Sequence, residues 1–103
     1  MKNENRAIER QIIEFLAVIE DCLKSTTFAA DRAVFQQDIP VVASWLTAMH
    51  RGTEVNKVID QILDPQTDKY FGDYWRQGDW GEKEMSALKD LQTALQNYRH
   101  AND

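Results

Sequence analysis

Apolar residues recur at intervals of three and four along most of the chain, which is the spacing of a buried helix face. The first such set lies within residues 7–23, with charged residues mostly on the opposite side. It predicts a helix that ends near Lys24, because the run Ser25-Thr26-Thr27 favours caps and turns. Thr27 is the expected N-cap of the next helix.

The second periodic segment begins at about Phe28 and contains Pro40. Proline lacks an amide hydrogen, and its ring clashes with the carbonyl four residues earlier, so a helix interior disfavours it. The sequence therefore predicts a kink near Pro40, or a new helix that starts at Ile39 or Pro40. Gly52 is the expected C-terminal cap, since glycine readily adopts the left-handed conformation found there.

Two short helical segments and one longer helix follow. Helical spacing over 55–63 ends at Asp64-Pro65, and this dipeptide also suits a helix start, with Asp as N-cap and Pro as first residue. A short segment is therefore expected around residues 66–77. Residues 79–82 fit a capping box with an acidic N-cap, which predicts the start of the last helix at Asp79.

These elements predict one fold class. We expect an all-α, single-domain up-and-down helical bundle over residues 1–103, with four main helices, a kink near Pro40 and an extra short segment around residues 66–77. The residues predicted to form its core are Ile12, Phe15, Leu16, Ile19, Trp45, Leu46, Ile59, Ile62, Leu88 and Leu91.

Charge and composition narrow the expected partners and location. The 103 residues include 12 basic and 17 acidic side chains, for a net charge of -5. This sign disfavours direct binding to nucleic acid or to an anionic membrane. Every apolar stretch falls short of the ~18 residues that span a bilayer, and the polar amino terminus does not resemble a secretory signal. Because Cys22 is the single cysteine, we expect a reducing, cytoplasmic location.

The motifs of the commonest enzyme classes are missing from the sequence. There is no inward Glu-x-x-His pair, no glycine-rich phosphate loop and no Gly-x-Ser-x-Gly elbow. We therefore expect no metal, no cofactor and no enzymatic activity. Asp60, Asp64 and Asp68 recur at four-residue steps, and we expect them to be solvated surface residues.

One segment departs from an ordinary helical composition. Five of the ten aromatic residues fall within eleven positions, namely Tyr70, Phe71, Tyr74, Trp75 and Trp80. Between Asp60 and Glu84 there are seven acidic and three basic residues, a local balance of -4. Exposed rings supply contact area, and carboxylates attract a basic partner. The alternative is that the rings fill the open end of the bundle as core.

We interpret the chain as a small acidic protein-binding module, of regulatory, inhibitory or immunity type, that presents residues 64–84 to a basic protein partner. The analogy is with small acidic helical immunity proteins, which block cationic toxins with carboxylates and tyrosines. The residues expected to contact the partner are Asp68, Tyr70, Asp73, Tyr74, Trp75, Asp79 and Trp80. Two alternatives stay open: a bundle that binds a flat or apolar small molecule, and a structural subunit of a homo-oligomer such as a homodimer.

Overall fold

The computed structural model describes residues 2–52, 54–73 and 79–101, and the side chains within 6–52, 54–72 and 81–101. These ranges contain five helices and no strand: α1 (Lys2–Ser25), α2 (Ala29–His50), α3 (Val55–Leu63), α4 (Pro65–Asp73) and α5 (Asp79–Ala101). The predicted all-α class is therefore confirmed.

Three long helices and two short ones pack around a single core. α1 contacts α2 and α5, while α3 contacts α2, α4 and α5. His50 at the end of α2 lies beside Glu9 near the start of α1, with 3.8 Å between Nδ1 and Oε1. These two long helices are therefore antiparallel.

The core takes apolar side chains from all five helices. It comprises Ile8, Ile12, Phe15, Ile19, Cys22, Phe35, Val42, Trp45, Met49, Val58, Ile59, Ile62, Phe71, Leu88, Leu91 and Leu95. All of the predicted core residues are buried except Leu16 and Leu46, which are half-buried and pack against the edge of the core. Helical spacing thus identified the inward faces of the long helices.

α2 continues through Pro40 without a break. The predicted start of a new helix at Ile39 or Pro40 is therefore wrong, and a kink there stays a prediction. Pro40 is exposed, and so is Gln36, whose carbonyl loses its intrahelical hydrogen bond. On the solvent side of a helix, water can satisfy that carbonyl, so packing of the opposite face keeps α2 continuous.

The caps at the two ends of α2 differ from one another. The N-cap is Phe28, which makes no side-chain cap hydrogen bond, so the prediction of Thr27 as cap is wrong. The hydroxyl of Thr26 instead accepts the Phe28 N–H at 3.4 Å. At the other end Gly52 has a φ of 84°, which confirms the predicted left-handed cap.

The Asp64-Pro65 dipeptide separates α3 from α4 as predicted. The backbone N–H of Gln66 donates to Asp64 Oδ1 at 2.8 Å, and Pro65 is the first residue of α4. The expected segment over 66–77 is described as far as Asp73. Asp79 is the first described residue of α5 and is helical, and its role as the N-cap stays a prediction because residues 74–78 lie outside the described ranges.

Candidate functional site at the α4 surface

Of the seven residues predicted to contact a partner, the structure describes the side chains of Asp68 and Tyr70, and only the backbone of Asp73, Asp79 and Trp80. Asp68 and Tyr70 are both half-buried on α4. Asp73 ends α4, and Asp79 and Trp80 begin α5, while Tyr74 and Trp75 lie outside the described residues. We call the exposed and half-buried side chains of residues 64–72 the α4 surface.

Phe71, in the middle of the predicted aromatic cluster, belongs to the core. Its side chain is fully buried, with ring centroids 5.5 Å from Phe15 and 6.3 Å from Trp45. Tyr70 lies edge-on to Phe71 at 5.0 Å and keeps part of its surface exposed. The interpretation of these rings as core thus holds for Phe71, whereas Tyr70 reaches the surface.

The carboxylate of Asp68 is bound to α5. Gln92 donates from Nε2 to Asp68 Oδ1 at 2.5 Å, and Lys89 Nζ lies 3.4 Å from Oδ2. The same Gln92 nitrogen donates to the carbonyl of Ile62 at 3.1 Å. Asp68 therefore holds α4 against α5, and Lys89 offsets part of its charge.

Asp60 and Asp64 are exposed, as predicted, but each also supports the fold. Arg99 near the end of α5 donates to Asp60 Oδ1 and, at 3.3 Å, to the carbonyl of Asn56. Asp64 caps α4 through the Gln66 amide. Asp60 thus connects α3 to α5, and Asp64 fixes the start of α4, which their spacing alone did not indicate.

An open cleft of about 230 Å³ lies between α2 and the corner formed by α3 and α4. Its inner wall is formed by Val41, Trp45 and Phe71. The rim is formed by Gln61, Asp64, Gln66, Thr67 and Tyr70. Among these lining residues there is one carboxylate and no basic side chain. The cleft is lined by residues of α2 and by the start of the α4 surface. It thus places Val41 and Trp45 beside Asp64 and Tyr70, which sequence reasoning did not connect.

The indole of Trp45, one of the residues that line the cleft, has an unsatisfied donor. Trp45 is 1% exposed, and its Nε1 finds no acceptor in the described part of the chain. An unsatisfied buried donor costs about 1–3 kcal/mol. Folded proteins keep few such groups, and violations of local rules tend to occur at functional sites. Sequence reasoning placed Trp45 in the core and missed its position beside the cleft.

Three carboxylic acids are buried elsewhere in the bundle. Asp31 and Asp38 of α2 and Glu84 of α5 are at most 2% exposed, and each has interaction partners. Asp31 and Asp38 lie on the same face as Phe35, Val42 and Trp45, so they interrupt an otherwise apolar stripe. Sequence reasoning missed them because the periodicity was read from apolar residues alone.

The described residues give few further indications of chemistry. They contain no group of three or more His, Cys, Asp or Glu side chains arranged to hold a metal ion. Cys22, the single cysteine of the sequence, is a buried thiol. None of the helices in the described ranges combines the length and the apolar character needed to cross a bilayer.

No protein-family model, curated protein or solved structure matches this chain. A functional conclusion therefore depends on the geometry of the cleft and of the α4 surface.

Proposed function

We propose that this protein is a small acidic binding module, of regulatory, inhibitory or immunity type, that recognises a basic protein partner through the α4 surface. The observation that carries the proposal is the open cleft, whose rim contains Asp64 and Tyr70. Both residues belong to the segment whose rings and carboxylates predicted a binding surface. A concave pocket beside an aromatic ring is typical of the centre of a protein interface, and a neighbouring charge adds electrostatic complementarity to a basic partner.

The size of the cleft favours a protein partner over a small-molecule ligand. Drug-sized ligands and cofactors occupy pockets of about 300–1,000 Å³, whereas an apolar cavity of about 150 Å³ holds a benzene molecule. At about 230 Å³, the cleft matches a single ring or a single long side chain. A protein that inserts one side chain would gain its remaining contacts on the surrounding surface.

Charge supports a basic partner. The chain carries a net charge of -5, and the acidic excess is concentrated in and beside the α4 surface. Asp68 forms an ion pair with Lys89, and Asp60 forms one with Arg99. Within the described part of the chain Asp64 forms no ion pair, so it is the rim carboxylate available to an incoming cation. Exposed charges of this kind accelerate association by long-range attraction.

The proposal is tested by affinity capture from the source cell with three immobilised proteins: wild type, a double variant Asp64→Asn/Tyr70→Ala and a matched control Glu20→Gln/Phe28→Ala. Asn retains the capping ability of Asp, so α4 should keep its start. Glu20 and Phe28 are an exposed carboxylate and an exposed ring far from the cleft in sequence.

The expected result is a basic protein that wild type and the control retain and the double variant loses. Circular dichroism of all three must show the same helix content. A partner that the folded double variant retains as well as wild type, or partners that are all acidic, would contradict the proposal.

A further inference from the structure

The geometry points to an arginine side chain of the partner as the occupant of the cleft. This inference rests on the proposed function, because it names the chemical group through which a basic partner would engage the cleft. It also goes beyond the proposed function, because it requires the cleft to bind a guanidinium group more tightly than a neutral group of the same shape.

The rim supplies acceptors for the guanidinium group. Arginine offers five N–H donors and no acceptor. Asp64, Gln61 and Gln66 line the cleft and carry a carboxylate and two side-chain amides, whose oxygens can accept hydrogen bonds, and none of its described lining residues is basic. Asp64 Oδ1 already accepts the Gln66 N–H at 2.8 Å, which leaves Oδ2 for a ligand. The rim therefore suits a group that donates in several directions at once.

The walls suit the apolar stem and the planar end of the same side chain. Val41, which is half-buried, provides apolar surface for the three methylene groups. Tyr70 is half-buried at the rim, and its edge-on contact with Phe71 at 5.0 Å orients its ring before a ligand arrives. A guanidinium plane stacks on such a ring by cation–π attraction, and a ring that is already oriented loses little entropy on binding.

Other side chains fit this cleft less well. The ammonium group of lysine is a compact charge that is strongly hydrated and does not stack as a plane. A neutral aromatic side chain would cover Asp64 without pairing it, and a covered, unpaired carboxylate is costly. Arginine satisfies the rim and the walls together.

The test uses ¹⁵N-labelled protein and two small probes, N-acetylarginine amide and N-acetylcitrulline amide, in which a neutral urea group replaces the guanidinium. The indole N–H signal of Trp45, assigned by its loss in Trp45→Phe, and the backbone amide of Thr67 report on the cleft. We expect both signals to shift and to saturate with the arginine probe in the millimolar range, as suits a single side chain. Citrulline should bind about tenfold more weakly, because it lacks the charge-assisted hydrogen bonds.

Two variants locate the binding. Asp64→Asn should weaken the arginine probe about tenfold. Glu14→Gln should leave its affinity unchanged, because Glu14 lines a separate cleft of about 130 Å³ between α1 and α5. Benzamide serves as a neutral ring of similar size and should bind no better than citrulline.

Three results would overturn the inference. The first two are equal affinity for the arginine and citrulline probes, and tighter binding of benzamide than of the arginine probe. The third is no shift of the Trp45 indole signal at an arginine-probe concentration 50-fold above the expected dissociation constant of ~1 mM. None of these results would contradict the proposed function. Partner capture measures the binding of a whole protein, and it does not depend on which side chain enters the cleft. Conversely, loss of partner capture with arginine binding intact would contradict the proposed function and leave the selectivity of the cleft established.

Discussion

Gln92 donates a 2.5 Å hydrogen bond to Asp68, and this contact joins α5 to α4 beneath the α4 surface. Asp68, which was predicted to attract a partner, therefore also holds the α4 surface in place. Variants of Asp68 would change folding and binding together, so Asp64 and Tyr70 are the better residues with which to test binding.

The first prediction concerns that contact. Gln92→Ala should lower the free energy of unfolding by about 1–3 kcal/mol, because it leaves the buried carbonyl of Ile62 and the Asp68 carboxylate with fewer donors. Urea denaturation followed by circular dichroism measures the loss. Gln96→Ala, an exposed change on the same helix, is the control and should cost less than about 0.5 kcal/mol. Equal losses in the two variants would show that the Gln92 contacts contribute nothing specific.

The second prediction separates the adjacent rings of α4. Phe71→Ala should cost about 3–5 kcal/mol, because the ring is fully buried against Phe15 and Trp45. Tyr70→Ala should cost clearly less, since part of its ring is already in water. Thermal melts of the two variants give the comparison. A larger loss for Tyr70→Ala would mean that the inward face of α4 is misassigned.

The third prediction compares two leucines that the sequence placed together in the core. Leu91 is 2% exposed and Leu16 is half-buried, so Leu91→Ala should cost about 2–5 kcal/mol and Leu16→Ala less. Chemical denaturation of both variants under the same conditions decides the order. The reverse order would contradict the packing of α1 against α5.

The fourth prediction concerns the proline inside α2. Pro40→Ala restores an amide that can donate to the carbonyl of Gln36, and alanine is about 3 kcal/mol more favourable than proline in a helix interior. The greater entropy of the unfolded variant offsets part of this gain. We therefore expect a net stabilisation of about 1–2 kcal/mol by thermal unfolding, with partner binding unchanged. Gln37→Ala, an exposed change about one turn earlier in α2, should have little effect. A lower melting temperature for Pro40→Ala would show that the proline ring makes a stabilising contact.

Most of the fold could be predicted because local chemistry determines it. Apolar spacing located the long helices, and Gly52 and Asp64-Pro65 marked helix boundaries through backbone conformation and capping alone. The predicted helix start at Pro40 was wrong because the effect of a proline depends on its surroundings. A helix can continue when the carbonyl left without a donor, here that of Gln36, faces water, and it is disrupted when that carbonyl faces the core. That orientation is a property of the packed helix and cannot be read from the residue itself.

The candidate site could be predicted only in part. α4 is nine residues long and carries rings and acids close together, so the spacing did not determine whether Tyr70 or Phe71 faces inward. The contacts of Asp68 with Lys89 and Gln92, more than twenty positions away, help to fix its rotation. The cleft needs Val41 and Trp45 from a different helix, and a pattern within one segment cannot reveal such a gap.

The most direct test of the proposed function is the kinetics of binding to the captured partner, measured by surface plasmon resonance over a range of salt concentrations. Asp64→Asn should slow association, flatten its salt dependence and accelerate dissociation, because Asp64 attracts the basic partner at a distance and pairs with its arginine at contact. Tyr70→Ala should mainly accelerate dissociation, with a loss of ~2 kcal/mol or more if the ring anchors the interface. The Glu20→Gln and Phe28→Ala controls should leave both rate constants unchanged. Association and dissociation rates that are the same as wild type in both folded cleft variants would contradict the account.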